Sequence, residues 1–141
     1  MKKILVPIDG SGPSLNALKA ALELARGDSG VALHVISVQP PIASGNVKRF
    51  ISEETLAGYY HDEGEKALVD ARSIIAQSGV AAQVGVQVGP VAQTIAQYAH
   101  DNGCGHIIMG TRGLGNVSGL LLGSVATKVL SLVDIPVTLV K

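Results

Sequence analysis

The 141-residue chain has no tryptophan, one phenylalanine and three tyrosines, so aromatics make up only 3% of it. It has a single cysteine, Cys104, which excludes an intrachain disulfide framework and fits a reducing compartment. Charge is scarce as well: Asp, Glu, Lys and Arg together are 16%, against roughly 25% in an average soluble domain. Eleven basic residues balance eleven acidic ones. With no basic face and few rings for stacking bases, nucleic acid is not an expected partner. The same lack of rings argues against a flavin. Long apolar runs are missing too. The opening Ile4-Leu-Val-Pro-Ile8 is stopped by Asp9, too soon for a signal peptide or a membrane span. The expectation is a cytoplasmic protein with no membrane insertion. Scarce charge also implies little free surface per residue: strands covered on both faces, a subunit interface, or both.

What the chain does have is aliphatic residues and glycine, with 47% apolar residues and 17 glycines. The length suits one domain, 1–141. Two periodicities alternate along it. Residues 3–8 read as a buried strand, and Leu15, Leu18, Leu22 and Ala25 then recur at helical spacing, with Pro13 near the first turn. A second strand is expected over 31–38 and a long loop over 39–50, where Pro40, Pro41, Gly45 and Asn46 fall. A helix over 53–77 carries Leu56, Tyr60, Ala67, Leu68, Ala71 and Ile75 on one face. A strand over 81–88 precedes a helix with Val91, Ile95, Ala96 and Ala99, closed by Asn102-Gly103. Strands over 105–110 and 135–140 bracket a last helix.

Alternation of this kind predicts an α/β fold, one doubly wound five-stranded parallel sheet with helices on both faces. The third strand alternates valine with polar or small residues, which suits a sheet edge. Pro136 is acceptable at a strand start or a sheet edge but not within a central strand, so the fifth strand also suits an edge. The first and fourth strands are nearly all apolar and belong in the centre. An order of 3-2-1-4-5 with right-handed crossovers meets these conditions. It makes the fold Rossmann-like and opens a ligand crevice between strands 1 and 4.

Two segments leave the carboxyl ends of those strands: Asp9-Gly10-Ser11, and the stretch from Gly110 to Ser124. The latter holds Gly110, Gly113, Gly115, Gly119 and Gly123, five of the 17 glycines. A strand, a glycine-rich loop and a helix start, in that order, can aim several backbone N–H groups and a helix dipole at an anion. No lysine precedes Ser124, so the loop is not a Walker A element. It also follows the wrong strand for a dinucleotide fingerprint. Its spacing is G-x2-G-x9-G-S, from Gly110 and Gly113 to Gly123-Ser124.

That spacing resembles the ATP-binding universal stress proteins, whose signature is G-x2-G-x9-G-[ST]. The opening Lys3-Ile-Leu-Val-Pro-Ile-Asp9-Gly-Ser11 and the closing Ile135-Pro-Val-Thr-Leu-Val140 resemble that family's first and last strands. The resemblance implies the adenine nucleotide alpha-hydrolase-like version of the sheet and a nucleotide-dependent stress or signalling module. It implies that Pro7, Asp9 and Val38 border the adenine and ribose. Met109, Gly110, Arg112 and Gly113 would line the ribose and the first phosphate, and Gly123, Ser124 and Val125 would hold the triphosphate. Asp9 would hydrogen-bond ribose or hold Mg²⁺ through water. Ser124 is also an N-cap candidate for the last helix. Residues 114–122 would form a mobile cover. The resemblance further implies a homodimer paired through strand 135–140, with higher oligomers open, and the apolar sequence of that edge agrees.

Plainer readings stand beside these. Asp9 could only cap the first helix, and Arg112 could be a solvated loop residue. Cys104, between Gly103 and Gly105, reads as a buried small residue. His34, His61, His100 and His106 have no metal-ligand spacing and read as structural. Tyr59-Tyr60 reads as a helix packing face, and Lys48 and Arg49 as solvated. The alternative function is enzymatic, a slow ATPase or an adenylyl-transfer catalyst, although no general base can be identified.

Overall fold

The computed structural model describes residues 2–42, 45, 50–114 and 122–141. Five strands, β1 (Lys2–Pro7), β2 (Val31–Gln39), β3 (Ala82–Val88), β4 (His106–Gly110) and β5 (Val137–Val140), form one parallel sheet in the order β3-β2-β1-β4-β5. Among the described residues four helices flank it: α1 (Gly12–Gly27), α2 (Glu53–Ser78), α3 (Val91–Asp101) and α4 (Ser124–Leu132).

Side-chain alternation along β1 explains why both faces are covered. Ile4 and Val6 join Leu18, Leu22, Leu68 and Ala71 in a core beneath α1 and α2. Leu5 faces the other way, with Ile36, Ile95, Ile107, Met109 and Val129 beneath α3 and α4. Ile4, Leu5, Leu18, Leu68, Ile95 and Ile107 are almost wholly excluded from water. Each such side chain contributes about 1.5–3 kcal/mol of transfer free energy. β3 is only partly covered along its length, as an edge strand must be.

Local chemistry sets the element ends. The Ser11 hydroxyl accepts from the Ser14 N–H at 3.3 Å, so Ser11 caps α1 and Pro13 sits in its first turn. Ser52 caps α2 in the same manner, and Gly79 closes it at φ +73°. Two expectations change. β5 begins at Val137 rather than at 135, because Pro136 has no N–H for the ladder; its carbonyl instead accepts from the Ile107 N–H at 3.0 Å. Gly45 and Phe50 have helical backbone where a loop was expected. Pro40 and Pro41 end β2, but a proline constrains only itself and the residue before it. Lys48 and Arg49 lie outside the described residues.

Candidate functional site

The carboxyl ends of β1, β2 and β4 surround a cavity of about 400 Å³, within the roughly 300–1,000 Å³ range of small-molecule sites. All ten sequence-predicted positions border it: Pro7, Asp9, Val38, Met109, Gly110, Arg112, Gly113, Gly123, Ser124 and Val125. Residues as distant in the chain as Pro7 and Val125 meet there because β1 and β4 are neighbours whose loops leave in opposite directions.

One side of the cavity is apolar, with Val38 from β2, Met109 from β4, and Val91 and Ile95 from α3. Polar groups line the cavity as well. The Asp9 carboxylate is fixed there by its own turn, with Oδ1 accepting from the Ser11 N–H at 2.9 Å. Gly10 completes that turn at φ +86°, which few other residues adopt. Asp9 is therefore not the cap of α1; Ser11 is, since its side chain stands two positions nearer the free amides of the first turn. Arg112 also lines the cavity and forms no ion pair among the described residues.

Three glycines sit at close approaches. A Cβ on Gly110 would stand 2.9 Å from the Pro13 carbonyl carbon and the Ser14 nitrogen, so β4 abuts the first turn of α1. A Cβ on Gly113 would collide with Asp9 Oδ2. Gly123 packs over Arg112, and its N–H donates to the Thr111 carbonyl at 2.7 Å. That bond ties the start of α4 to the end of β4 and closes the base of the glycine loop. Residues 115–121 of the expected cover lie outside the described residues, while Leu114 at its start is 72% exposed.

The N-cap of α4 is Gly123 rather than Ser124, with extended φ −74°, ψ 166° and no side-chain cap. Ser124 is already in the helix, because the Gly123 carbonyl accepts the first helical bond, from Thr127 N–H at 3.1 Å. Gly123, Ser124 and Val125 at the start of α4 line the cavity, and among the described residues no side chain caps that helix end, which carries the positive end of the helix dipole. An apolar slot, a fixed carboxylate, an arginine and an open helix N-terminus are chemically suited to a ligand that is flat and apolar at one end and anionic at the other.

Sequence reasoning missed Ile8, Ser14, Val91, Ile95, Leu114 and Ala126 on the wall. Ile8 and Ala126 adjoin predicted positions and could have been found by extension. Val91 and Ile95 could not, since they read only as a helix core face. The other histidines and Cys104 stay away from this cavity. His34 Nδ1 is 2.8 Å from the Tyr98 hydroxyl, and burial, then Lys3, pushes its pKa down. His106 Nε2 meets the Thr138 hydroxyl at 2.8 Å. Cys104 is buried and burial raises its thiol pKa. No cluster of three or more metal-ligating residues occurs among the described residues. Tyr60 is buried, its hydroxyl accepting from the Ile42 N–H at 2.8 Å, but Tyr59 is half exposed and does not share the packing face. No described helix is long and apolar enough to cross a membrane.

The model of the Universal stress protein family matches residues 1–141. The chain belongs to the universal stress protein family. Universal stress protein YxiE of Bacillus subtilis is 35% identical over 147 residues, covering 99% of this chain and 98% of that protein. Universal stress protein MJ0531 of Methanocaldococcus jannaschii is 34% identical over 145 residues, covering 99% and 82%. Among solved structures of universal stress proteins and their likes, that of the protein MJ0577 superposes with a TM-score of 0.84 at 28% identity, covering 99% of this chain and 95% of that one. The universal stress protein of Archaeoglobus fulgidus in complex with dAMP superposes at 0.72 and 24% identity, covering 100% and 98%. The five-stranded universal stress protein fold is therefore the fold of this chain.

Proposed function

We propose that this universal stress protein binds ATP in the cavity at the ends of β1 and β4 and acts as a nucleotide-dependent stress or signalling module. The observation that carries the reading is the union, in one cavity, of an apolar slot and an α4 N-terminus that no described side chain caps. The residues fit such a ligand. Val38 and Met109 offer an apolar wall for a purine, Pro7 and Asp9 border the adenosine, and Gly110, Arg112 and Gly113 border the ribose and first phosphate. Gly123, Ser124 and Val125 bring amides to the remaining phosphates. That the family member from Archaeoglobus fulgidus takes dAMP supports an adenine nucleotide. Mg²⁺ would supply charge neutralisation for the phosphates, with Asp9 as its water-mediated holder or as a ribose acceptor.

On this reading residues 1–141 are one nucleotide-binding domain, cytoplasmic, and paired as a homodimer through β5. The edge position of β5, its aliphatic sequence and the buried free thiol of Cys104 support those parts. Denaturing the purified protein and identifying released nucleotide by mass spectrometry tests the reading, followed by calorimetry with Mg²⁺–ATP. A saturable heat is expected. No heat at millimolar ATP refutes it.

A further inference from the structure

β3 is the opposite edge of the sheet, and it is less defended than β5. It runs for seven residues, Ala-Gln-Val-Gly-Val-Gln-Val, with no charge and no proline, whereas β5 has four residues between Pro136 and Lys141. Edge strands in natural proteins are ordinarily shortened, charged or interrupted, since half of their backbone donors and acceptors face outward. No described strand pairs with the outer side of β3.

A groove runs along each face of this edge. On the α2 face, Leu56, Ala57, Tyr60, Val86 and Val88 line a largely apolar groove, with Glu53 and His61 also on its wall. On the α3 face, Gln87, Gln93, Gln97 and Asp101 line a polar one. Val88 borders both and is 48% exposed. A strand laid beside β3 would send alternate side chains into the two grooves, one set to apolar walls and the other to amides and a carboxylate. The acidic residues lining the grooves are Glu53 and Asp101, the latter accepting from the Gln97 amide at 2.7 Å; His61 also lines one groove, and no Lys or Arg lines either among the described residues.

We infer that the β3 edge is a docking site for an extended, cationic segment of a partner protein, with apolar residues at alternate positions and Lys or Arg between them. Charge chooses this occupant over a second copy of the chain, which would bring the same carboxylates to the same edge. The site lies away from the nucleotide cavity and shares no lining residue with it.

The test uses an eight-residue alternating Lys-Val peptide with the full chain, followed by amide NMR. Three controls accompany it: an alternating Glu-Val peptide, a Lys-Val peptide with central proline, and the Val88→Lys variant. The expected result is saturable binding that slows exchange of the 82–88 amides, is weakened by salt, and falls at least tenfold in each control. Urea midpoints check that Val88→Lys remains folded; Gln87→Lys, beside it on the polar face, serves as a second variant. Absence of binding at millimolar peptide overturns the inference. So does equal binding of the Glu-Val peptide, or an elution volume showing that β3 instead pairs with a second copy.

Discussion

The Asp9 carboxylate fills the space that a Cβ on Gly113 would need. Asp9 leaves β1 and Gly113 follows β4, so this contact joins the two loops that border the cavity. The backbone at Gly113 is not left-handed, and only the Asp9 oxygen opposes a larger residue there. Gly113→Ala should keep the fold but displace Asp9, lowering ATP affinity about tenfold, or about 1.4 kcal/mol. Calorimetry on the single variants and on Gly113→Ala with Asp9→Ala would show non-additive losses. Wild-type affinity in Gly113→Ala would remove Asp9 from the site.

Gly110 differs, because backbone opposes it. Its added Cβ would meet Pro13 and Ser14 at 2.9 Å, in the rigid first turn of α1. Gly110→Ala is expected to cost about 1–3 kcal/mol of stability through overpacking. A urea midpoint equal to wild type would show that α1 can shift away freely.

Acid should weaken the fold through His34. Burial first, and then the positive Lys3, hold this imidazole below its usual 6.5. The unfolded chain therefore takes up the proton at a higher pH than the folded one. The stability contributed by neutral His34 is complete above about pH 6.5 and declines as pH falls below it. His106, lowered by burial and then by Lys2, adds in the same direction. Urea midpoints from pH 7.5 down to 5.5 should fall, and less steeply in His34→Gln. Equal slopes in the two proteins would assign the acid sensitivity elsewhere.

Dimerisation through β5 is best probed at Thr138. Val137 and Leu139 pack in part on the core beneath α3 and α4, so charging them would damage the fold itself. Thr138 is exposed on the opposite face of the strand. Thr138→Lys should convert a dimer to a monomer by light scattering, and an unchanged mass would exclude pairing at this edge.

The Cys104 thiol is buried and its pKa is raised by that burial. At pH 8 it should react with a disulfide reagent only as fast as the protein opens, and rapidly in urea. Fast labelling of the folded protein would contradict the packing described.

The residues forming the cavity were legible in large part because phosphate-binding backbone needs glycine at fixed intervals and because parallel sheets open at their switch point. Strand order followed similarly from Pro136 and from the polar alternation of β3. Helix ends were less legible: Ser124, an N-cap candidate, lies just inside α4 with Gly123 as its cap, and Ser11 rather than Asp9 caps α1, since only φ, ψ and the hydrogen bonds made decide between nearby residues. Val91 and Ile95 looked like ordinary core until α3 was packed against the sheet.

By itself, then, the sequence determined the alternation of elements, the sheet order and the glycine spacing, all of which follow from local sterics and hydrophobic period. Tertiary structure alone decided that Asp9 meets Gly113, that Gly123 closes the loop on Thr111, and that α3 walls the cavity. Those contacts join residues far apart in the chain, and distance in space is set by packing rather than by any local preference.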